Sequence, residues 1–243
     1  MSSPLFRTLA LPTALMVLAL AACDEPADRK MHLAAAPAAA STEPSAAASK
    51  APHEKSGQIS WDAAKGALVY NGQPLRAEKL WTFDGTTDGF TMAAGDETPA
   101  EGSGLAVKEN LPDSQLLTPR GLNINGHTRS LVVVRLTRVR ASPPFDGTVY
   151  YTTATHGVSE AFHARPIVGG DPAVGETMIL VYDMHQLAAG GLDWRNSTID
   201  RLRIDLDDGA GGAFIVHQVA IALDPRSVPL APPPKGLKPA VTP

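Results

Sequence analysis

The chain contains one cysteine, few aromatic residues and no excess of positive charge, and each shortage excludes a class of chemistry. Because Cys23 is the single cysteine among 243 residues, the chain can form neither an internal disulfide nor a zinc site built on cysteine ligands. A formal net charge of -4 leaves no basic field to attract nucleic acid. Aromatic side chains make up only 5% of the residues, whereas glycine and proline number 21 each. That composition favours short strands joined by turns, together with disordered ends.

The first 22 residues have the order of parts of an export signal. Arg7 precedes an apolar run from Leu9 to Leu20, which is too short to span a bilayer core that needs roughly 20 apolar residues. The run ends in Leu-Ala-Ala before Cys23. This order resembles the bacterial lipobox, in which a diacylglycerol group is attached to the cysteine and the preceding peptide is removed. The alternative is an ordinary secretory signal followed by an incidental cysteine.

The resemblance implies a lipid-anchored protein of the bacterial cell envelope. Each buried methylene of an acyl chain contributes about 0.8 kcal/mol, so two or three chains on Cys23 would anchor the protein stably to a lipid bilayer. We therefore expect a lipoprotein that faces the periplasm. Asp24, directly after the cysteine, resembles the signal that retains enteric lipoproteins in the inner membrane, and it favours that membrane.

Composition divides the chain into four parts. Residues 1–22 are predicted to be the signal peptide. Residues 23–56 are rich in alanine, proline and serine and lack aromatics, so they predict a disordered tether. Residues 57–224 hold all the tryptophans and tyrosines and predict one β-sandwich domain. Residues 225–243 are proline-rich and predict a disordered tail.

The central part predicts an all-β fold. Apolar and β-branched segments follow one another, and Asp-Gly, Asn-Gly and Gly-Gly clusters separate most of them. The only helical pattern is short, from His185 to Ala189, before a Gly-Gly pair. Many short antiparallel strands at this spacing predict a sandwich or jelly roll. The predicted strands are Gln58–Trp61, Ala67–Tyr70, Lys79–Phe83, Phe90–Ala93, Leu105–Glu109, Gly121–Ile124, Ser130–Val139, Gly147–Thr153, Glu160–Ala164, Glu176–Asp183, Asp200–Leu206 and Ala213–Leu223.

Two of these strands show opposite patterns of alternation. From Leu131 to Val134 both sides of the strand are apolar, and polar residues appear on one side only later, which predicts a strand central in its sheet. From Arg201 to Leu206 aliphatic residues alternate with charged ones, which predicts one buried and one solvated face.

Three sequence stretches together resemble the galactose-binding-like jelly rolls, which include many carbohydrate-binding modules. The resemblance spans residues 79–223 and implies a sandwich in which Trp81 and Phe83 point inward. Many relatives hold a structural calcium ion with an aspartate of the closing strand, a position that aligns here with His217. Because calcium prefers oxygen ligands, we expect no metal or cofactor, and a calcium ion on Asp84 and Asp205 is the less favoured alternative. The three stretches are Trp81-Thr82-Phe83-Asp84-Gly85 with Asp88-Gly89-Phe90, Leu192-Asp193-Trp194 with Ile199 to Asp205, and Phe214 to Ile221.

Four residues are candidates for ligand binding. Tyr150 and Tyr151 are adjacent in a predicted strand, so one faces the core and the other can stack on a sugar. His156 follows in the exit loop, and Trp194 lies in a loop after two glycines, where the resemblance places it under the next strand. Simple packing is the competing interpretation of the tyrosines.

The sequence contains no nucleophile elbow, phosphate-binding loop or histidine pair with metal-ligand spacing, so we expect no enzymatic activity. The hypothesis is a membrane-anchored jelly roll that binds an envelope or exported polysaccharide. The alternative is a structural or assembly lipoprotein that binds an envelope protein through its sandwich, with no sugar site. A hydrolase is a third and weaker alternative.

Overall fold

The computed structural model describes residues 58–227. The predicted signal peptide, Cys23, Asp24, the tether and the tail beyond residue 227 lie outside the described residues. The predicted tail begins with a single 3-10 turn, Pro225–Ser227. None of the helices in the described part of the chain is long and apolar enough to cross a membrane.

The described residues form short antiparallel strands and one helical turn. In chain order they are β1 (Ile59–Asp62), β2 (Ala67–Tyr70), β3 (Gln73–Pro74), β4 (Ala77–Trp81), β5 (Thr91–Ala93), β6 (Gly95–Pro99), β7 (Leu105–Glu109), β8 (Gln115–Leu117), β9 (Ile124–Asn125), β10 (Leu131–Arg140), β11 (Val149–Thr153), β12 (His163–Ala164), β13 (Thr177–Asp183), α1 (Asp193–Asn196), β14 (Thr198–Asp205) and β15 (Ala213–Ala222).

Two six-stranded sheets build the sandwich. The first sheet has the order β13-β10-β15-β7-β6, with β4 also paired to β15. The second sheet has the order β12-β11-β14-β8-β5, with β9 also paired to β14. In chain order, the chain changes sheet between β4 and β5, β5 and β6, β7 and β8, β9 and β10, β10 and β11, β12 and β13, β13 and β14, and β14 and β15. The predicted all-β antiparallel jelly roll is confirmed.

The core lies between the two sheets and uses alternate residues of each strand. Leu202 and Ile204 of β14 point inward, as predicted, and meet the inward residues of β15. Phe83 is also fully buried, whereas Trp81 is only partly buried and packs at the margin of the core. Inward residues of β10 and β15 in the same cluster are Val132, Val134, Leu136, Phe214, Val216, Val219 and Ile221.

A third sheet of three strands, β1-β2-β3, forms a second hydrophobic cluster on the outer face of the first sheet. We call it the covering layer. Ile59 and Leu68 of this layer pack with Leu131 and Val133 of β10. The layer explains why β10 is apolar on both sides at its start: one side faces the sandwich interior and the other faces the covering layer.

The structure differs from the sequence prediction in three places. The helix predicted at His185 to Ala189 is wrong: Asp183 accepts from the backbone N–H of His185 at 3.0 Å, one turn follows, and Ala189 pairs with His163 as a β-bridge. The short helix is α1 instead. Of the strand predicted from Gly121, only Ile124 lies in β9. Strands β3, β6 and β8 were not predicted.

Candidate ligand-binding cleft

An open polar cleft of about 510 Å³ lies on the outer face of the second sheet. Strands β8, β11 and β14 supply its floor, and the loop that leaves β11 supplies one wall. Hydroxyl, amide, guanidinium and carboxyl groups share this surface with the apolar side chains of Leu117, Ala154 and Val158. The lining residues are Gln115, Leu117, Arg120, Thr152, Thr153, Ala154, Thr155, His156, Gly157, Val158, Asp200 and Arg201.

A β-bulge in β14 shapes the floor of the cleft. Thr152 pairs with Arg201 and Thr153 pairs with Ile199, so Asp200 is the extra residue between them. Its carboxylate accepts from the backbone N–H of Gly121 at 2.8 Å and from the hydroxyl of Thr152 at 3.5 Å. The bulge thus aims Asp200 outward, where it holds the loop after β8 against the sheet.

A tight turn fixes the wall that follows β11. The hydroxyl of Thr153 accepts from the backbone N–H groups of Thr155 and His156, at 3.1 and 3.3 Å. The backbone N–H of Thr153 donates to the carbonyl of His156 at 3.0 Å. These bonds give Thr153, Thr155 and His156 fixed positions beside the floor.

His156 is the one predicted site residue that lines the cleft. Its ring stacks on Phe162, with 3.7 Å between the centroids, and its Nε2 lies 2.9 Å from the carboxylate of Asp193. Its Nδ1 lies 2.9 Å from the carbonyl oxygen of Gly157. Only 13% of the side chain is exposed, because Phe162 covers one face of the ring.

Tyr151 and Trp194 lie directly behind His156, in the core. The Tyr151 hydroxyl donates to the same Asp193 oxygen at 3.0 Å. Burial, and to a smaller extent this hydrogen bond, raises the Tyr151 pKa. The two rings meet edge to face at 5.0 Å, and the Trp194 indole N–H donates to the carbonyl of Arg129 at 2.7 Å. Both side chains are fully buried, so neither ring presents a face to a ligand.

Tyr150 faces outward, as strand alternation predicts for one of the two tyrosines, but its neighbours cover it. The residue is only 6% exposed, its ring lies under the Arg203 guanidinium at 4.8 Å, and its hydroxyl donates to Glu160 at 2.8 Å. Burial, reinforced by Glu160, raises the Tyr150 pKa. Tyr150 does not line the cleft. The structure therefore places Tyr151, His156 and Trp194 in one cluster and leaves Tyr150 outside it.

Several residues that line the cleft were not predicted from the sequence. Gln115 and Arg120 come from one segment and Asp200 from another far along the chain, and strand pairing brings them together. The alternation of Arg201 and Arg203 was the one available signal, because it marked the outward side of β14. The sequence does not show which of the two guanidinium groups already has carboxylate partners.

Arg203 does have such partners. Its guanidinium donates to Asp205 at 2.7 and 2.5 Å and to Asp113 at 2.5 Å. Burial raises the pKa of Asp205 to about 6, against the opposing effect of Arg203. The charges of this cluster, which lies beside the cleft, are therefore paired with one another.

A second group of buried charges lies inside the sandwich. Burial raises the pKa of Glu109 to about 7; its Oε1 accepts from the backbone N–H of Asp207, and its buried Oε2 has no hydrogen-bond partner. Arg138 donates to Asp207 at 2.5 Å and also pairs with Asp171. None of these residues lines the cleft.

The described residues contain no group of three histidine, cysteine, aspartate or glutamate side chains placed to hold a metal ion. The two oxygen donors weighed for calcium have other partners: Thr82 and Ser103 donate to Asp84, and Arg203 donates to Asp205. His217 bonds Thr137, with 2.7 Å between Nε2 and the hydroxyl oxygen.

Comparison with known structures finds carbohydrate-binding modules. A family 29 module from Piromyces equi is 9% identical over 57% of this chain and 83% of its own, with a TM-score of 0.40. The xylan-binding domain of family 22 from Paenibacillus barcinonensis is 14% identical over 61% of this chain and 96% of its own, with a TM-score of 0.43. The family 11 module of a cellulosomal cellulase from Clostridium thermocellum is 12% identical over 61% and 96%, with a TM-score of 0.41. No protein-family model and no curated protein matches the chain.

Proposed function

We propose that the jelly-roll domain binds carbohydrate in the cleft of the second sheet. The observation that carries the proposal is the open polar cleft itself. Sugar hydroxyls both donate and accept hydrogen bonds, and the cleft offers both kinds of partner: the Gln115 amide, the Thr155 hydroxyl, the Arg120 guanidinium and the Asp200 carboxylate. The names of the structural neighbours also give carbohydrate as their ligand, but the proposal for this chain depends on its own cleft.

The proposed activity is binding without catalysis. Among the described residues that line the cleft, Asp200 carries the one carboxyl group, and it holds the Gly121 N–H. Glycoside hydrolysis ordinarily uses two carboxyl groups on either side of the scissile bond. The buried pair of Glu109 and Asp207 lies away from the cleft lining and supplies no such arrangement.

A glycan array on the purified full chain tests the binding proposal. We expect binding to at least one polysaccharide, weakened by Gln115→Ala and unchanged by Gln73→Ala, which truncates an exposed glutamine on β3. Absence of binding to every glycan would contradict the proposal. Equal loss in both variants would contradict the assignment to the cleft. Capture of one stoichiometric envelope protein with no glycan bound would favour the protein-binding alternative.

We further propose that lipid on Cys23 holds this domain at the periplasmic side of a bacterial membrane. The support is the order of Arg7, the apolar run and the cysteine in the sequence. Cys23→Ala should abolish incorporation of radiolabelled palmitate and release the protein from the membrane fraction. Cys23→Ser would serve as a near-isosteric second variant. Retention of either variant on membranes would refute the anchor, and Asp24→Ser followed by membrane separation tests the preference for the inner membrane.

A further inference from the structure

Arg201 stands out among the charged residues of the cleft because its charge has no carboxylate partner. Its guanidinium donates only to neutral oxygens, from Nε to the Thr118 carbonyl at 2.7 Å and from Nη2 to the Thr91 hydroxyl at 3.3 Å. No ion pair within 4 Å involves Arg201 among residues 58–227. These bonds leave Nη1 free and hold the guanidinium in one orientation at the cleft floor.

Five other arginines of the described residues are paired with acids. A half-buried guanidinium is costly to desolvate, so a carboxylate neighbour is the usual arrangement. Arg201 has no such contact: Asp200 acts on it electrostatically but forms no ion pair with it, so its guanidinium can still bind an anion from a ligand. The paired arginines are Arg129 with Glu78, Arg138 with Asp171 and Asp207, Arg165 with Asp146, Arg203 with Asp113 and Asp205, and Arg226 with Asp224.

Arg120 adds a second positive charge to the same cleft. Its side chain is 72% exposed and reaches Asp200 only at 3.5 Å, the outer limit of a hydrogen bond. The Asp200 carboxylate meanwhile holds Gly121 and Thr152. Burial, and to a smaller extent the positive charge of Arg120, lowers the pKa of Arg201, whereas the negative charge of Asp200 opposes this shift. The cleft thus carries two arginines against one carboxylate, on a protein whose net charge is -4.

The cleft also lacks the rings on which a neutral sugar would stack. Tyrosine and tryptophan are absent from the residues that line it, and the single ring there, His156, has one face against Phe162. Stacking on aromatic faces is a main source of affinity for the apolar side of neutral sugars. A ligand of this cleft must instead be held by hydrogen bonds and charge, and charge-assisted hydrogen bonds from a guanidinium to a carboxylate are among the stronger ones in proteins.

We propose that the ligand is an acidic polysaccharide whose uronate carboxylates bind Arg201 and Arg120. This inference rests on the proposed carbohydrate-binding function and names its substrate class. Arg201 holds one carboxylate through its free Nη1, and the more mobile Arg120 reaches a neighbouring group of the chain. Gln115, Thr153 and Thr155 contact the sugar hydroxyls.

The test is titration calorimetry of the full chain with polygalacturonate, alginate and hyaluronate as acidic probes. Xylan, galactomannan and mixed-linkage glucan serve as neutral probes, and methyl-esterified polygalacturonate presents the same backbone without its charge. We expect an acidic probe to bind, the ester to bind at least about tenfold more weakly if polygalacturonate is that probe, and Arg201→Gln to weaken binding of the acidic probe by at least about tenfold.

Two further variants keep the outcome interpretable. Arg120→Gln changes an exposed side chain and should weaken binding about threefold without affecting thermal unfolding, so it tests the proposal even if Arg201→Gln fails to fold. Arg76→Gln removes the same charge from an exposed position outside the cleft and should leave binding unchanged.

The outcomes separate the two proposals. Binding of a neutral probe that is insensitive to Arg201 and Arg120 would overturn the acidic-ligand inference and leave the carbohydrate function standing. Binding of dextran sulfate and every acidic probe alike, reduced equally by Arg76→Gln, would show non-specific attraction and overturn the inference as well. Binding of none of these or of the array glycans would contradict the carbohydrate function itself.

Discussion

The two sheets of the sandwich have similar inner faces and opposite outer faces. On the first sheet, β10 is apolar on both sides near its start, and the covering layer buries Leu131 and Val133. On the second sheet, β14 is apolar inside but carries Arg201, Arg203 and Asp205 outside, and among the described residues no further strand layer covers them. The outward residues therefore determine whether a face is closed by the protein's own strands or left open to a ligand.

The largest expected effect is a charge placed under the covering layer. Val133 is fully buried between β10 and β1-β2, and Val133→Asp would bury a carboxylate without a partner. We expect a loss of at least about 4 kcal/mol in the free energy of unfolding, or no folded protein. Urea denaturation followed by circular dichroism measures it.

The matched control is the same charge on the open face. Leu117 is half-buried at the cleft, and Leu117→Asp exposes its carboxylate to solvent. We expect a change within about 1 kcal/mol. Equal losses in the two variants would mean that the two outer faces do not differ as described.

The next effect concerns the interior that both sheets share. Glu109 has a folded-state pKa of about 7 against an ordinary 4.5, so the folded state binds its proton more tightly than the unfolded state does. The proton on Glu109 therefore contributes its whole stabilising effect below pH 4.5. This effect is lost as the pH rises to about 7, and it remains lost at higher pH. Glu109→Gln should stabilise the domain by about 3 kcal/mol at pH 8 and hardly at all at pH 4. Urea denaturation at both pH values checks this difference, and an equal effect at both would contradict it.

A smaller effect of opposite sign lies on the outer face of the first sheet. Burial, with help from the nearby positive charge of Arg135, lowers the pKa of His217 from 6.5 to about 4. The unfolded state binds the proton more tightly, so this contribution is full above pH 6.5 and is lost as the pH falls through about 4. His217→Asn should therefore flatten the decline of the melting temperature between pH 6.5 and 4. An unchanged decline of the melting temperature in this pH range would show that protonation of His217 is not coupled to unfolding.

The same contrast explains how much of the fold the sequence predicts. The alternations in β10 and β14 identify the sandwich because side-chain direction has a period of two in a strand. Strand β6, Gly95–Pro99, is not predicted because it contains glycine, proline and two acidic residues, which are uncommon in strands. It is a strand because it pairs with β7. Strand β8 has only three residues, too few to show a period.

The candidate site is less predictable than the fold. Tyr151 and Trp194 have the residue types of a sugar platform, but packing buries them completely. Asp200 points into the cleft only because a bulge interrupts β14, and no local sequence pattern predicts that bulge. The role of Arg201 depends on its guanidinium making no direct contact with a carboxylate, which only the folded arrangement reveals.

Amide hydrogen exchange of the full chain, with and without the glycan that binds most strongly on the array, tests the central claim most directly. The account predicts slower exchange on the open face, at residues 115–117, 152–158 and 200–201, and no change at residues 131–134 under the covering layer. Protection confined to the first sheet, or none with the glycan bound, would contradict the assignment of the cleft as the binding site.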